Sequence, residues 1–284
     1  MTLENFIPEI WSANLLSNLN KELVYASSDV TNTDYEGEIK NAGDTVRINS
    51  IGRITVFDYT KNTDMPAPEV LTDSQKTLII DQQKGFNFQV DDIDKAQQNP
   101  KVMSEAMKEA AYALADVKDR FLAGFYTGAA AANLIGNDTT PVSITTPSAA
   151  YEYLVDMGVL LDEQNIPSEG RVVTVPSWFE GLLRKDDRFV KSGTDSAAST
   201  LAKGVVGEAS GFTVRKSNNV PNTAGAKYKI QATHRMARSF AAQIINTEAY
   251  RPEKRFADAV KGLSVYGGKL IRPEAISVLT ANRT

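Results

Sequence analysis

His234 is the only histidine in the 284 residues, so it is the one side chain whose ordinary pKa suits general acid or base work near neutrality. Its surroundings, Ala232-Thr233-His234-Arg235-Met236, hold no carboxylate to orient it, and a packed or surface role is expected. The chain has no cysteine, which removes disulfides, thiolate nucleophiles and His/Cys metal sites together. Gly207-Glu208-Ala209-Ser210-Gly211 approaches a nucleophile elbow, but the serine stands one place beyond the middle position that chemistry needs. Gly267-Gly268-Lys269 hints at a phosphate loop, yet Leu263 stands where a glycine belongs and Leu270 where a hydroxyl must meet magnesium. Asp91, Asp92 and Asp94 are oxygen donors without the glycine and distal glutamate of a calcium loop. Their expected role is solvation and favourable charge ahead of a helix N-terminus. The expectation is no enzyme, no cofactor and no metal.

The elements that would position such groups suggest a body built for contact. A 42% hydrophobic content can bury a core in one large domain or two ordinary ones. No run approaches the roughly 18 apolar residues of a membrane span, and the N-terminal residues lack a signal-peptide pattern, so folding in a cytoplasm is expected. The net charge of −4 hides a gradient. Residues 1–98 hold 8 Lys and Arg against 16 Asp and Glu, and residues 99–170 hold 4 against 10. Residues 171–284 reverse this, with 19 against 9. Opposite-signed surfaces on one subunit suit head-to-tail association of identical copies.

Leu15, Leu16, Leu19 and Leu23 predict a short amphipathic helix on an extended arm, followed by a polar, turn-rich run at 27–38 whose acidic, Asn/Thr-rich part at 29–34 looks poorly able to pack by itself. Val46 and Ile48 alternate with Arg47 and Asn49, and a second run at 77–90 carries Leu78, Ile80, Phe86, Phe88 and Val90. Between them, residues 60–74 are polar around Pro66 and Pro68, so a projecting hairpin with a long tip is expected. Asn99-Pro100 starts a helix reaching about residue 127, some 42 Å at 1.5 Å per residue. Its predicted apolar face is Met103, Met107, Ala110, Leu114, Val117, Phe121 and Phe125, with Lys118 and Asp116 among the polar remainder. Beyond residue 141 come a helix capped by Ser148, a buried strand at 171–175, a helix from Pro176-Ser177 and an exposed loop at 185–200. Short strands are expected at 212–215, 228–232 and 260–266, then near Ile271 and at 276–279, giving a mixed α+β domain.

This order resembles the HK-ninety-seven coat fold of tailed-phage capsids over nearly the whole chain. By local wording it is similar to major capsid proteins related to the coat protein of phage P-twenty-two, through Asn41-Ala42-Gly43-Asp44-Thr45-Val46-Arg47-Ile48, Gly211-Phe212-Thr213-Val214, Asn219-Val220-Pro221 and Tyr266-Gly267-Gly268-Lys269-Leu270-Ile271-Arg272-Pro273-Glu274-Ala275. The resemblance implies an α+β fold with an N-terminal arm at 1–41, an extended loop at 42–92 and a peripheral domain at 93–140 around the spine helix. An axial domain at 141–245 and returning strands at 246–284 complete it. It implies hexamers and pentamers in an icosahedral shell around double-stranded DNA, assembled in a host bacterial cytoplasm and carried in the virion. Portal and scaffolding proteins are implied partners, a decoration protein is a further candidate, and contact with DNA is weak and non-specific. Arg53, Phe57, Lys61 and Glu69 on the hairpin, and Arg184, Lys185, Arg188 and Lys191 in the axial region, are the candidate subunit contacts. Some relatives weld neighbours by a Lys–Asn isopeptide bond. Lys61 is the one lysine placed for that, and no asparagine or glutamate matches it, so crosslinking is not expected. The alternatives are an encapsulin-type compartment shell and an enzyme with an unfamiliar carboxylate site.

Overall fold

A computed structural model describes residues 24–34, 45–51, 73–91, 102–186 and 208–283, with single positions between 56 and 67. β1 (Thr45–Ile51) and β2 (Asp73–Ile79) form an antiparallel pair in which Thr45 faces Ile79 and Ile51 faces Asp73. The run read as one strand across 77–90 is two. The chain leaves β1 at Ile80 and re-forms as β3 (Gln82–Asp91), which joins a three-stranded antiparallel sheet with β11 (Arg238–Tyr250) and β12 (Ala257–Leu270), in the order β11-β12-β3. Buried Leu78 and Ile80 root the hairpin against Ala241 and Val265 of that sheet.

Gly267 is what lets the crossing pass so closely. A Cβ there would overlap the Ile79 carbonyl oxygen and stand 2.9 Å from Ile80 Cα, both backbone atoms that cannot swing aside. Gly268 gives the same clearance to the Phe125 ring, 3.0 Å from its hypothetical Cβ. The pair that hinted at phosphate chemistry is therefore a packing device inside β12. Gly267→Ala is expected to cost about 3 kcal/mol, the upper end of what over-filling a packed site costs. Urea unfolding checks this, and a loss under about 1 kcal/mol would show that the crossing moves freely.

α1 (Val102–Ala123) lies on the three-stranded sheet and continues as a 3₁₀ turn over Gly124–Gly128. Met107, Ala111, Leu114 and Ala115 bury against Val260, with Phe86 and Phe88 packed alongside. The buried stripe runs on through Lys118, Asp119, Leu122 and Ala123, whereas Val117 is 37% exposed. Lys118 was expected on the polar face. It is buried instead, with Nζ 5.8 Å from the Tyr266 ring centroid, because the far end of α1 is enclosed on more than one side.

The covering element is residues 24–34, where Tyr25, Val30 and Thr31 are fully buried. Residues 29–34, expected to pack poorly by themselves, are held on other elements by hydrogen bonds. The Asn32 amide donates to the Arg238 carbonyl at 3.0 Å, and the Phe240 amide donates to the Asn32 carbonyl at 2.9 Å, a parallel bridge to the edge of β11. The expected helix at 15–23 lies outside the described residues.

The rest of the chain folds on an eight-stranded mixed sheet. Its strands are β4 (Leu134–Ile135), β5 (Val142–Ser143), β6 (Arg171–Val175), β7 (Glu208–Ala209), β8 (Phe212–Lys216), β9 (Asn222–Thr223), β10 (Lys227–His234) and β13 (Ile276–Asn282). The main path is β4-β13-β10-β6-β8-β7, with β5 on β13 and β9 on β10. α2 (Pro147–Glu163) and α3 (Ser177–Leu183) cover it, burying Leu154, Met157, Leu161, Phe179 and Leu183 against Val173, Phe212, Ile230 and Val278. The α2 cap is Thr146, whose hydroxyl accepts from the Ala149 amide at 3.3 Å, and Pro147 follows at the first helical position. Ser148, the expected cap, is inside the helix. Ile271 lies in a short connection through Pro273–Ala275 rather than in a strand of its own.

Candidate subunit-contact surfaces

The near-miss catalytic motifs resolve into structural parts. Ser210 and Gly211 have φ of 51° and 77° and form the two-residue turn between β7 and β8, where Ala209 pairs with Phe212. That is the positive-φ hairpin turn that glycine and small polar residues favour. Among the described residues, no group of three or more His, Asp or Glu side chains is placed to hold a metal ion. An open cleft at the end of α2, lined by Glu163, Asn165, Met236, Arg272 and Glu274, offers carboxylates without a histidine, serine or lysine in its lining.

His234 is a cap. Its Nδ1 accepts from the Met236 amide at 3.2 Å, closing the turn that leads from β10 into β11. Burial holds its pKa below the usual histidine value, and the charges of Arg171, Arg235 and Arg272 add to this against a hydrogen bond with the Glu169 backbone. Folding therefore favours the neutral ring. Its contribution is fully present above the unfolded value of about 6.5 and is lost as pH falls through the lowered folded value. Wild type is expected to lose more stability than His234→Asn between pH 7 and pH 5 in urea unfolding. Equal losses would show that another group carries the acid limb.

The densest polar interior lies where residues 24–34 meet the end of α1. Asp119 accepts from the amides of Val24 at 3.0 Å and Tyr25 at 2.7 Å, and from Asn219 Nδ2 at 3.1 Å. Its pKa is raised by burial, against which these hydrogen bonds act. Arg238 is fully buried beside it, donating to the Leu122 carbonyl at 2.9 Å and to Gln231 Oε1 at 3.5 Å, with its guanidinium 5.6 Å from the Tyr25 ring centroid. Burial lowers the Arg238 pKa to about 10, so it stays charged at neutral pH. Asp29 reaches further and pairs with Arg215 on β8. Residues 24–34 thus strap the spine helix to the larger sheet. Neither Asp119 nor Arg238 was singled out in the sequence. The legible signal was a carboxylate at the i+4 and i+8 positions from Ala115 and Ala111 on an apolar stripe.

Lys61 is exposed at the hairpin tip, beside Val56 at 91% and Tyr59 at 68% exposure. Arg184 and Lys185 are exposed at the end of α3. Arg184 pairs with the buried Glu180, whose second oxygen stands 3.6 Å from Lys216 Nζ. The two groups of candidates occupy separate elements. Arg53, Phe57, Glu69, Arg188 and Lys191 lie outside the described residues.

A family model described as phage capsid protein matches residues 75–279. Among solved structures, the chain is similar to one from Mycobacterium phage Che8, with 28% identity, a TM-score of 0.72 and 98% of each chain covered. The capsid of Ralstonia phage GP4 is 14% identical with a TM-score of 0.68, covering 93% of this chain and 90% of that one. The holo-SrpI encapsulin complex from Synechococcus elongatus is more distant, at 12% identity and a TM-score of 0.56, covering 86% of this chain and 84% of that one. No curated protein matches the sequence.

Proposed function

This chain belongs to the phage capsid protein family and is a structural major capsid protein with the HK-ninety-seven-like fold; from that premise we propose that it forms hexamers and pentamers which close an icosahedral shell around double-stranded DNA, without catalysing a reaction. The projecting β1–β2 hairpin carries this reading. Its root is buried against the three-stranded sheet, while every described position of its tip is exposed, Tyr59 and Lys61 included. A monomer gains nothing from such a tip, whereas a neighbouring subunit covers it and multiplies a weak contact by symmetry. In this reading residues 1–41 are the arm and 42–92 the extended loop. Residues 93–140 and 246–284 make the peripheral domain, and 141–245 the axial one. Arg53, Phe57, Lys61 and Glu69 contact the adjacent subunit's peripheral domain, and Arg184, Lys185, Arg188 and Lys191 gather about the capsomer axis.

Assembly takes place in the host cytoplasm with portal and scaffolding proteins, and a decoration protein is a further candidate partner. Basic patches touch DNA weakly and in a salt-dependent way. The test is expression of the chain alone and with its neighbouring phage genes, read by size-exclusion chromatography and negative-stain microscopy. Closed shells, tubes or isolated rings uphold the reading, and a monomer that persists with those genes present overturns it. Nuclease-protected DNA inside the shells separates a genome container from an encapsulin-type compartment, which would hold protein.

A further inference from the structure

Resting on the shell reading above, we propose that the outer face of α2 seats the basic end of α3 from a second copy, joining neighbouring subunits head to tail. α2 carries Glu152, Asp156, Asp162 and Glu163 and no lysine or arginine in seventeen residues. Asp162 is engaged by Arg171 from within the same subunit. The exposed row is Glu152, Val155, Asp156, Val159 and Glu163, whose spacings of three and four put them on one face. Its apolar centre is open, with Val155 at 37% and Val159 at 47% exposure. Valine is a weak helix former and gains nothing from water, so two of them in a row of carboxylates suit a face that is covered. The helix has no freedom to turn them inward, because Leu154, Met157 and Leu161 on its other side are fully buried in the main core.

The complementary surface is the far end of α3. Arg184 and Lys185 are exposed there, Lys216 joins them from β8, and the carboxylates beside them, Glu180 and Asp186, are both buried. Aliphatic stems of lysine and arginine suit exposed valines, while their charged heads suit Asp156 and Glu163. Complementary charge supplies orientation and excludes the reversed pairing. The two surfaces are different patches of one subunit, so the contact is heterologous and propagates around a ring instead of closing as a twofold dimer.

The test is a charge exchange scored by negative-stain counting of rings and shells. Asp156→Lys and Lys185→Glu are each expected to lower assembled yield about tenfold through like-charge contact, and the double variant to restore it. An equimolar mixture of the two single variants is expected to restore six-membered rings and not five-membered ones, because alternation closes only on an even number. Single variants that assemble as wild type does overturn the contact and leave the shell reading standing. So does rescue in the double variant but not in the mixture, which would place the attraction within one subunit. Wild type that stays monomeric with its neighbouring phage genes present fails the shell reading itself, and the contact with it. Thermal melts confirm that the single variants fold. If Asp156→Lys unfolds, Val159→Ser takes its place beside Lys185→Glu, and unchanged yield from that pair is equally a refutation.

Discussion

Replacing residues 52–72 with an Asn-Gly turn is expected to leave a folded subunit and to abolish shells completely. Ile51 and Asp73 face each other across β1 and β2, so a two-residue turn closes the hairpin without changing its register. The root stays intact, because Leu78 and Ile80 keep their places against Ala241 and Val265. Every described position within the removed stretch is exposed, so the change in subunit stability should stay within about 0.5 kcal/mol. What is lost is the exposed tip with Val56, Tyr59 and Lys61, which the proposed assembly uses as a contact at every subunit. Size-exclusion chromatography and negative-stain microscopy, beside a urea melt, separate the outcomes. Well-formed particles from this variant would remove the hairpin from the assembly mechanism, and an unfolded subunit would make it part of the fold.

The hairpin was legible because Val46 and Ile48 alternate with polar partners and because a proline-bearing polar tip has nowhere to pack. α1 was legible from its length and α2 from its periodicity, and the five apolar-rich residues of β6 are buried without exception. β11 was invisible. Its first half, Arg238 to Gln243, is enclosed from more than one side, so Ser239, Phe240, Ala241 and Ala242 show no alternation, and a bulge between Ile244 and Asn246 breaks the pairing register further on. The break at Ile80 was hidden for a related reason: Leu78 and Ile80 continue the pattern of β2 while the chain is already crossing to another sheet. Periodicity reports which side of an element is covered, not which element covers it. The contact surfaces fare worse still. Arg184 and Lys185 were named from their charge, and both are exposed, but the acidic row on α2 was not singled out at all. A face acquires meaning from the copy that lies on it.

The strap over α1 hangs on a single side chain whose removal is expected to cost as much as filling the Gly267 crossing. Asp119→Ala leaves the amides of Val24 and Tyr25 without their acceptor, and each is a hydrogen bond to a charged group worth about 1.5–3 kcal/mol. The two share one carboxylate and do not add in full, so a loss of roughly 3 kcal/mol is expected, with early proteolytic cleavage within residues 24–34. Asp119→Asn keeps an oxygen acceptor for both amides and should lose much less. The pair of variants also isolates the charge. Burial raises the folded pKa of Asp119 above the unfolded value of about 3.9, so folding favours the protonated carboxyl. This group's contribution is therefore fullest below that unfolded value and fades as pH rises through the folded one. D119N carries no such dependence, and wild type is expected to gain on it as the pH is lowered from 7 towards 4. If wild type instead loses ground on acidification, the hydrogen bonds from Val24, Tyr25 and Asn219 outweigh burial, and the strap is held by the carboxylate's charge rather than in spite of it.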